Sequence, residues 1–211
     1  MTESPKTALD LMRRGPVIPV VVIDRADDAV PLARALVAGG IDTMEITLRT
    51  AEALDAIRSV AEQVPDMAVG AGTVVRPEQA GEAVSAGAAF LVSPGCTPRL
   101  LKALFDQAVP ILPGVATASE AIALMEHGVT ELKFFPAAAI GGPKAVGALA
   151  GPLPEITFCP TGGIDRATSA DYLALPNVAC VGGSWLTPSD LVAARNWDAI
   201  TAIAEASLLT R

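Results

Sequence analysis

The sequence predicts one α/β domain, residues 1–211, folded as a parallel (β/α)8 barrel of the TIM type with a short N-terminal helix leading in. Three observations carry that prediction. Apolar or β-branched runs begin near Val17, Thr43, Ala68, Phe90, Pro110, Glu131, Ile156 and Val178, at intervals from 20 residues (Phe90 to Pro110) to 26 (Val17 to Thr43). An alanine-rich stretch with helical spacing follows each run, the pattern of repeated βα units. No composition shift or linker divides the series. The competing architecture, an open doubly wound sheet, usually carries phosphate-binding glycines after its first strand. Here the first strand runs into VIDRADD, which has none.

Local signals justify the elements in turn. Leu9 to Arg13 reads as the leading helix. Leu54, Ile57, Ala61 and Val64 recur at the three-to-four spacing of one apolar helix face. Thr97-Pro98 offers an N-cap followed by proline at the first helical position. Thr117-Ala-Ser-Glu120 has the form of a capping box, hydroxyl and carboxylate each satisfying an orphan amide. Gly40, Gly87 and Gly128 stand where helices end before the next strand, in a left-handed conformation that is cheap only for glycine. The stretch from Trp197 to Leu209 supplies the eighth helix.

Composition narrows the function. The chain has 15 basic and 23 acidic side chains, a net charge of −8, so it lacks the basic stripe a nucleic-acid partner requires. Hydrophobic residues make up 51% and charged ones 18%, which excludes intrinsic disorder. Mean hydropathy is +0.46, yet the longest apolar candidate, Val17 to Ile23, is far short of the ~20 residues of a membrane helix and contains Pro19. MTESPKTALD has no export-signal pattern. Cys96, Cys159 and Cys180 show no C-x-x-C spacing and read as small buried hydrophobes in a reducing compartment. A cytoplasmic globular protein is expected.

Barrels place their chemistry at the carboxyl ends of strands. Alternation along the second strand puts Met44, Ile46 and Leu48 on the helix side and Thr43, Glu45, Thr47 and Arg49 in the lumen. An inward carboxylate and guanidinium are costly unless paired or used, so a closing Glu45–Arg49 ion pair is one reading. Of the four lysines, Lys6, Lys102 and Lys144 read as solvated charges, whereas Lys133 lies within a strand, in ELKFFP. A buried amine disfavours its charged form and becomes a nucleophile. A lysine merely neutralised by Glu45 is the bland alternative, and it puts the same two residues together. Thr161-Gly162-Gly163 and Gly182-Gly183-Ser184 end the seventh and eighth strands, where barrels commonly cradle phosphate; tight turns are the alternative. Gly70, Gly72 and Thr73 open the mouth at the third strand, and Ser93-Pro94-Gly95 does so after the fourth.

Other chemistries lack parts. His127 is the only histidine, at a helix end, which disfavours a histidine triad or a histidine-ligated zinc. Asp27-Asp28 reads as acidic charge at a helix start, and Trp185 and Trp197 read as packing residues. A buried lysine, an inward carboxylate, an arginine and a phosphate cradle suit metal-independent cleavage of a phosphorylated hydroxy-keto acid through an iminium.

The motifs MEITLRT, VGAGTV, SPG (93–95), KFFPA, FCPTGGI and GGSW resemble the class I aldolases of the Entner–Doudoroff pathway. These act on 2-keto-3-deoxy-6-phosphogluconate (KDPG) and, in overlapping members, on 4-hydroxy-2-oxoglutarate (KHG). The resemblance runs from about Gly15 to the last helix. It implies that Lys133 forms the Schiff base and Glu45 is the general acid/base. Arg49 and Thr73 would hold the pyruvate carboxylate, with Pro94 and Phe135 shaping the pocket. Thr161, Gly162, Gly163, Gly182 and Ser184 would line the hydroxyl and phosphate side. It also implies no metal or other cofactor, a phosphorylated keto acid as partner, no nucleic acid or membrane, and a homotrimer. Two departures stand out: Ala138 where many relatives carry an acidic residue, and Cys96 where an aliphatic one is usual. Two other readings compete: a non-catalytic phospho-sugar-acid binding barrel and a phosphate-binding barrel isomerase.

Overall fold

Thr7 opens the first helix, Ala8–Met12, as a capping box: its side chain accepts from the Asp10 amide and Asp10 returns the bond. The computed structural model describes residues 5–208, so Leu209 of the expected last helix lies outside the described residues. Nine strand segments follow: β1 Val17–Val21, β2 Thr43–Thr47, β3 Ala68–Gly72, β4 Leu91–Val92, β5 Ile111–Leu112, β6 Gly114–Val115, β7 Glu131–Phe134, β8 Thr157–Pro160 and β9 Val181–Gly183. They form eight staves, because β5 and β6 are halves of one strand separated by Pro113. The first half pairs with β4 and the second with β7, all in parallel. Parallel pairing runs β5-β4-β3-β2-β1-β9 and β6-β7-β8. Bridges from Phe158 to Val178 and from Thr161 to Gly182 join β8 to the last stave and close the barrel.

Helices Ala29–Ala38, Ala53–Gln63, Pro77–Ser85, Pro98–Phe105, Ala118–Met125, Gly142–Ala148, Arg166–Leu173 and Trp197–Leu208 cover the outside, with Ser189–Ala193 added before the last. The expected punctuation is present. Thr97 caps the Leu100 amide, and Gly40, Gly87 and Gly128 are all left-handed. The helix Ala53–Gln63 is rotated slightly from the expected face. Ala53, Ala56, Ile57, Val60 and Val64 are buried, while Leu54 and Ala61 flank the stripe half-buried. Alanine fits closest to the strands, and the larger side chains pack beside it.

Two cores result from the alternation of strand residues. Outward residues such as Met44, Ile46, Leu132, Phe134 and Phe158 pack against the helices, with Phe134 and Phe158 edge-to-face at 5.8 Å. Inward residues Ile18, Phe90, Val92, Leu112, Cys159 and Cys180 fill the lower lumen, and Leu11 and Met12 of the first helix stop its floor. Gly70 makes room for the Phe90 ring, which a methyl there would strike. Two cysteines are thus buried hydrophobes as expected. Cys96 is only half-buried, in the turn after β4, and burial pushes its thiol up to about 11.

The capping box at Thr117 gives a pH test. Glu120 accepts from the Ala116 amide at 2.7 Å and from the Thr117 amide and hydroxyl, and these bonds hold its carboxyl below the usual value. A depressed carboxyl supplies stability above the free-carboxyl pKa and loses it as pH falls through the folded-state value. In urea unfolding, Thr117→Ala is expected to cost about 1 kcal/mol at pH 7. The gap between wild type and Glu120→Gln is expected to shrink below about pH 4. A gap constant down the titration would contradict this account.

Candidate active site

Above the apolar plug the lumen turns polar. Val20 of β1 is in register with Glu45 of β2, and Gly114 and Cys159 with Lys133 of β7. Glu45 and Lys133 stand on opposite staves and reach across the lumen to each other, Nζ to Oε1 at 3.4 Å. Glu45 is 3% exposed and Lys133 4%. The ammonium also lies 5.5 Å from the centre of the Phe135 ring, a cation–π distance. A methyl at Gly72 would overlap the Glu45 carboxylate, so the missing side chain on β3 is the space Glu45 occupies. The other three lysines are exposed.

Arg49 is not where strand alternation puts it. β2 ends at Thr47, and Arg49 lies beyond it on the exposed rim, its Nε donating to Thr73 Oγ1 at 3.3 Å. The ion-pair partner of Glu45 is therefore Lys133, not Arg49. Thr47 does point inward, but its hydroxyl donates to the Val21 carbonyl and ties β2 to β1. Thr73 has φ +60°, a left-handed backbone unusual for a β-branched residue. That strain turns its hydroxyl towards Arg49.

The remaining expected residues gather round the same mouth. Pro94 is half-buried, and its backbone comes so close to Gly114 that a side chain there would strike it. Gly162 and Gly163 are both left-handed, at φ +99° and +72°. The Thr161 and Gly162 carbonyls accept from the Ala137 and Ala138 amides at 2.8 and 3.0 Å, stitching this loop to the one after β7. A methyl at Gly163 would come within 2.7 Å of the Ala138 Cβ, so a small residue at 138 suits this turn. Gly182 leaves room for the Thr161 hydroxyl. Ser184 is exposed and lines a cleft of about 560 Å³ between the carboxyl ends of β1 and β9. The structure thus brings Lys133, Glu45 and Phe135 together in the lumen and pairs Arg49 with Thr73 on the rim.

Two features escaped the sequence. Gly114 as a contact point has no local signature. Asp28, expected as a helix-start charge, is instead buried and receives Arg195 Nε at 2.8 Å. Arg195 lies 167 positions away, and no sequence spacing announces such a pair. Among the described residues, no group of three or more His, Cys, Asp or Glu side chains could hold a metal ion.

Fold and site together define the class: a (β/α)8-barrel enzyme whose polar centre is a lysine facing a carboxylate in the lumen. The family model for KDPG and KHG aldolases matches residues 9–203. The KHG/KDPG aldolase of Escherichia coli K12 is 51% identical over 198 residues, covering 94% of this chain and 93% of that protein. A Legionella pneumophila KDPG aldolase structure, with pyruvate captured as a covalent carbinolamine, superposes with a TM-score of 0.94 at 46% identity, covering 96% of this chain and 98% of that one. A Zymomonas mobilis 2-keto-3-deoxy-6-phosphogluconate aldolase with 3-phosphoglycerate gives 0.91 at 42%, covering 98% and 97%. The chain belongs to the KDPG and KHG aldolase family, and it is a lyase of the aldolase type.

The Gly72 contact is open to test. Gly72→Ala is expected to displace the Glu45 carboxylate from Lys133 and lower aldolase kcat by about 100-fold or more. The fold, followed by circular dichroism, should persist. Unchanged kcat would mean that Glu45 does not need this space.

Proposed function

We propose that the chain cleaves 2-dehydro-3-deoxy-6-phosphogluconate to pyruvate and glyceraldehyde 3-phosphate, the aldol step of the Entner–Doudoroff pathway, and acts also on 4-hydroxy-2-oxoglutarate. The observation that carries this reading is the buried Lys133–Glu45 pair. The Lys133 amine adds to the C2 ketone, and the carbinolamine loses water to give an iminium. Glu45 takes the proton of the C4 hydroxyl. The C3–C4 bond then breaks, its electron pair passing to the iminium nitrogen, and the aldehyde departs from the enamine. Glu45 returns the proton to C3. Water hydrolyses the pyruvyl iminium and frees the amine.

The iminium nitrogen is the electron sink, so the scheme uses no metal or other cofactor. Arg49 and Thr73 hold the substrate carboxylate, Arg49 through its planar fork of donors. Pro94 and Phe135 bound the reacting carbons. Thr161, Gly162, Gly163, Gly182 and Ser184 face the hydroxyls and the phosphate. The covalent carbinolamine of the Legionella relative and the phosphorylated acid in the Zymomonas relative support the two halves of this assignment. The family resemblance supports a homotrimer. A cytoplasmic location accords with three free cysteines. No helix among the described residues is long and apolar enough to cross a membrane.

Sodium borohydride with pyruvate is expected to leave one pyruvyl adduct on Lys133 by intact-mass and peptide mass spectrometry, and none on Lys133→Ala. Glu45→Gln should keep the adduct while kcat falls about 100- to 10,000-fold. Cleavage, followed by lactate dehydrogenase coupling, should survive EDTA. An unlabelled wild-type protein would remove the Schiff base. Pyruvate release that never rises above background would favour a binding barrel or an isomerase.

A further inference from the structure

The barrel wall is interrupted between β5 and β6, where the stave leaves β4 and takes up β7. The polar groups of the peptide at that break must find partners on both sides. The Pro113 carbonyl faces β7 and accepts from the Lys133 amide at 3.0 Å. The Gly114 N–H belongs to the same planar, trans peptide and so points the opposite way. It donates to Ser93 Oγ at 3.4 Å.

Ser93 is the residue after β4, and it is fully buried. Its own amide donates to the Leu112 carbonyl at 3.2 Å, in line with the β4–β5 ladder. One step further, parallel pairing would bring the Gly114 amide to the main-chain carbonyl of Ser93. The side-chain hydroxyl takes that amide instead. A side chain at Gly114 would strike the carbonyls of Ser93 and Pro94, so the two backbones meet here in contact. The surrounding strand residues Leu91, Val92 and Leu112 are apolar, and a hydroxyl buried among them is costly unless it is bonded. Gly114 and Lys133 are register partners. Two hydrogen bonds through one rigid peptide therefore connect the Ser93 hydroxyl to the backbone of Lys133. The Lys133 amine ends a long side chain 3.4 Å from Glu45, and its height in the lumen follows from where that backbone is held.

We propose that Ser93 is a positioning residue for the Schiff-base lysine. Its buried hydroxyl holds the Pro113–Gly114 peptide, and with it Lys133, at the height where the amine meets Glu45 and the substrate ketone. The proposal rests on the aldolase reading above. Ser93 itself touches none of the reacting atoms and acts only through the peptide.

The test uses Ser93→Ala, which removes the acceptor, and Ser93→Cys, which keeps the size of the side chain with only a weak acceptor. Thr201→Ala is the control, because it deletes another hydroxyl bond, to the Ala35 carbonyl at 3.0 Å, between two outer helices. Rates are measured well below the melting temperature of each variant. For both Ser93 variants, kcat on 2-keto-3-deoxy-6-phosphogluconate is expected to fall about 10- to 100-fold, the scale of a displaced reacting group. KM should stay within about threefold of wild type, the split of an interaction that serves the transition state. The rate at which borohydride traps pyruvate should fall by a similar factor, while the final yield remains one adduct on Lys133. Thr201→Ala should lower the melting temperature and leave kcat near wild type. If Ser93→Ala does not fold, Ser93→Cys carries the same expectation. Wild-type kcat in either folded Ser93 variant, a loss confined to KM, or an equal loss of kcat in Thr201→Ala overturns the proposal and leaves the aldolase reading intact. Wild-type protein that traps no pyruvate removes both.

Discussion

Taking an ammonium and a carboxylate out of water together costs more than their attraction returns, unless the geometry is good and the remaining polar atoms are served. Lys133 and Glu45 meet under that constraint, 3.4 Å apart and almost wholly buried. Much of the barrel interior follows from it. The pair needs space, and Gly72 supplies it by having no side chain where the Glu45 carboxylate lies. The pair needs dry surroundings below, and the plug of Phe90, Val92, Leu112 and the two buried cysteines provides them over a floor of Leu11 and Met12. It also needs an opening above, where the strands end in glycines and short hydroxyl side chains. Removing either partner would leave the other charge buried and uncompensated, so a purely structural pair at this place would be a poor source of stability.

The closure of the barrel and the assembly of the mouth use the same atoms. The seam between β8 and the last stave is made by the Phe158–Val178 and Thr161–Gly182 bridges. Gly182 permits the second bridge because it leaves room for the Thr161 hydroxyl. One residue further on, Gly162 and Gly163 turn in the left-handed region and are tied to Ala137 and Ala138. Ala137 follows Lys133 by four positions, so the Gly162–Gly163 loop is held to the stave that carries Lys133. A shift of either loop would move both ends of the site.

The fold was legible because its cause is local and repeated. Strand and helix periods alternate along the whole chain, and caps such as Thr97, Thr117 and the left-handed Gly128 are written within three or four residues. The Lys133–Glu45 pair was legible for a different reason: a charge inside an apolar strand is expensive, so its presence there is informative. What could not be read depends on where strands stop and on distant contacts. Alternation extended β2 to Arg49, but the strand ends at Thr47 and the arginine falls on the rim. Asp28 carries the composition of a helix start, and only the fold brings Arg195 to it. The rotation of the helix Ala53–Gln63 is set by which residues fit closest to the strands, which an alanine-rich pattern leaves open.

Charge then divides along lines of burial. Lys133 and Glu45 sum to zero as an ion pair, so the buried centre of the lumen offers no net attraction to an anion. The chain as a whole, at −8, opposes it. At physiological ionic strength that repulsion is screened beyond about 8 Å, and the balance is settled by the groups at the mouth. Arg49 stands at the end of β2 and Arg25 just beyond β1, both exposed. An exposed guanidinium is solvated until the ligand arrives, so it costs the free protein little. Each is steadied by a light contact, Arg49 by the Thr73 hydroxyl and Arg25 by the edge of Asp28. Both contacts are made through Nε, the edge of the guanidinium. Buried charge is therefore kept neutral as a pair, and the positive charge of these two arginines is left exposed at the rim.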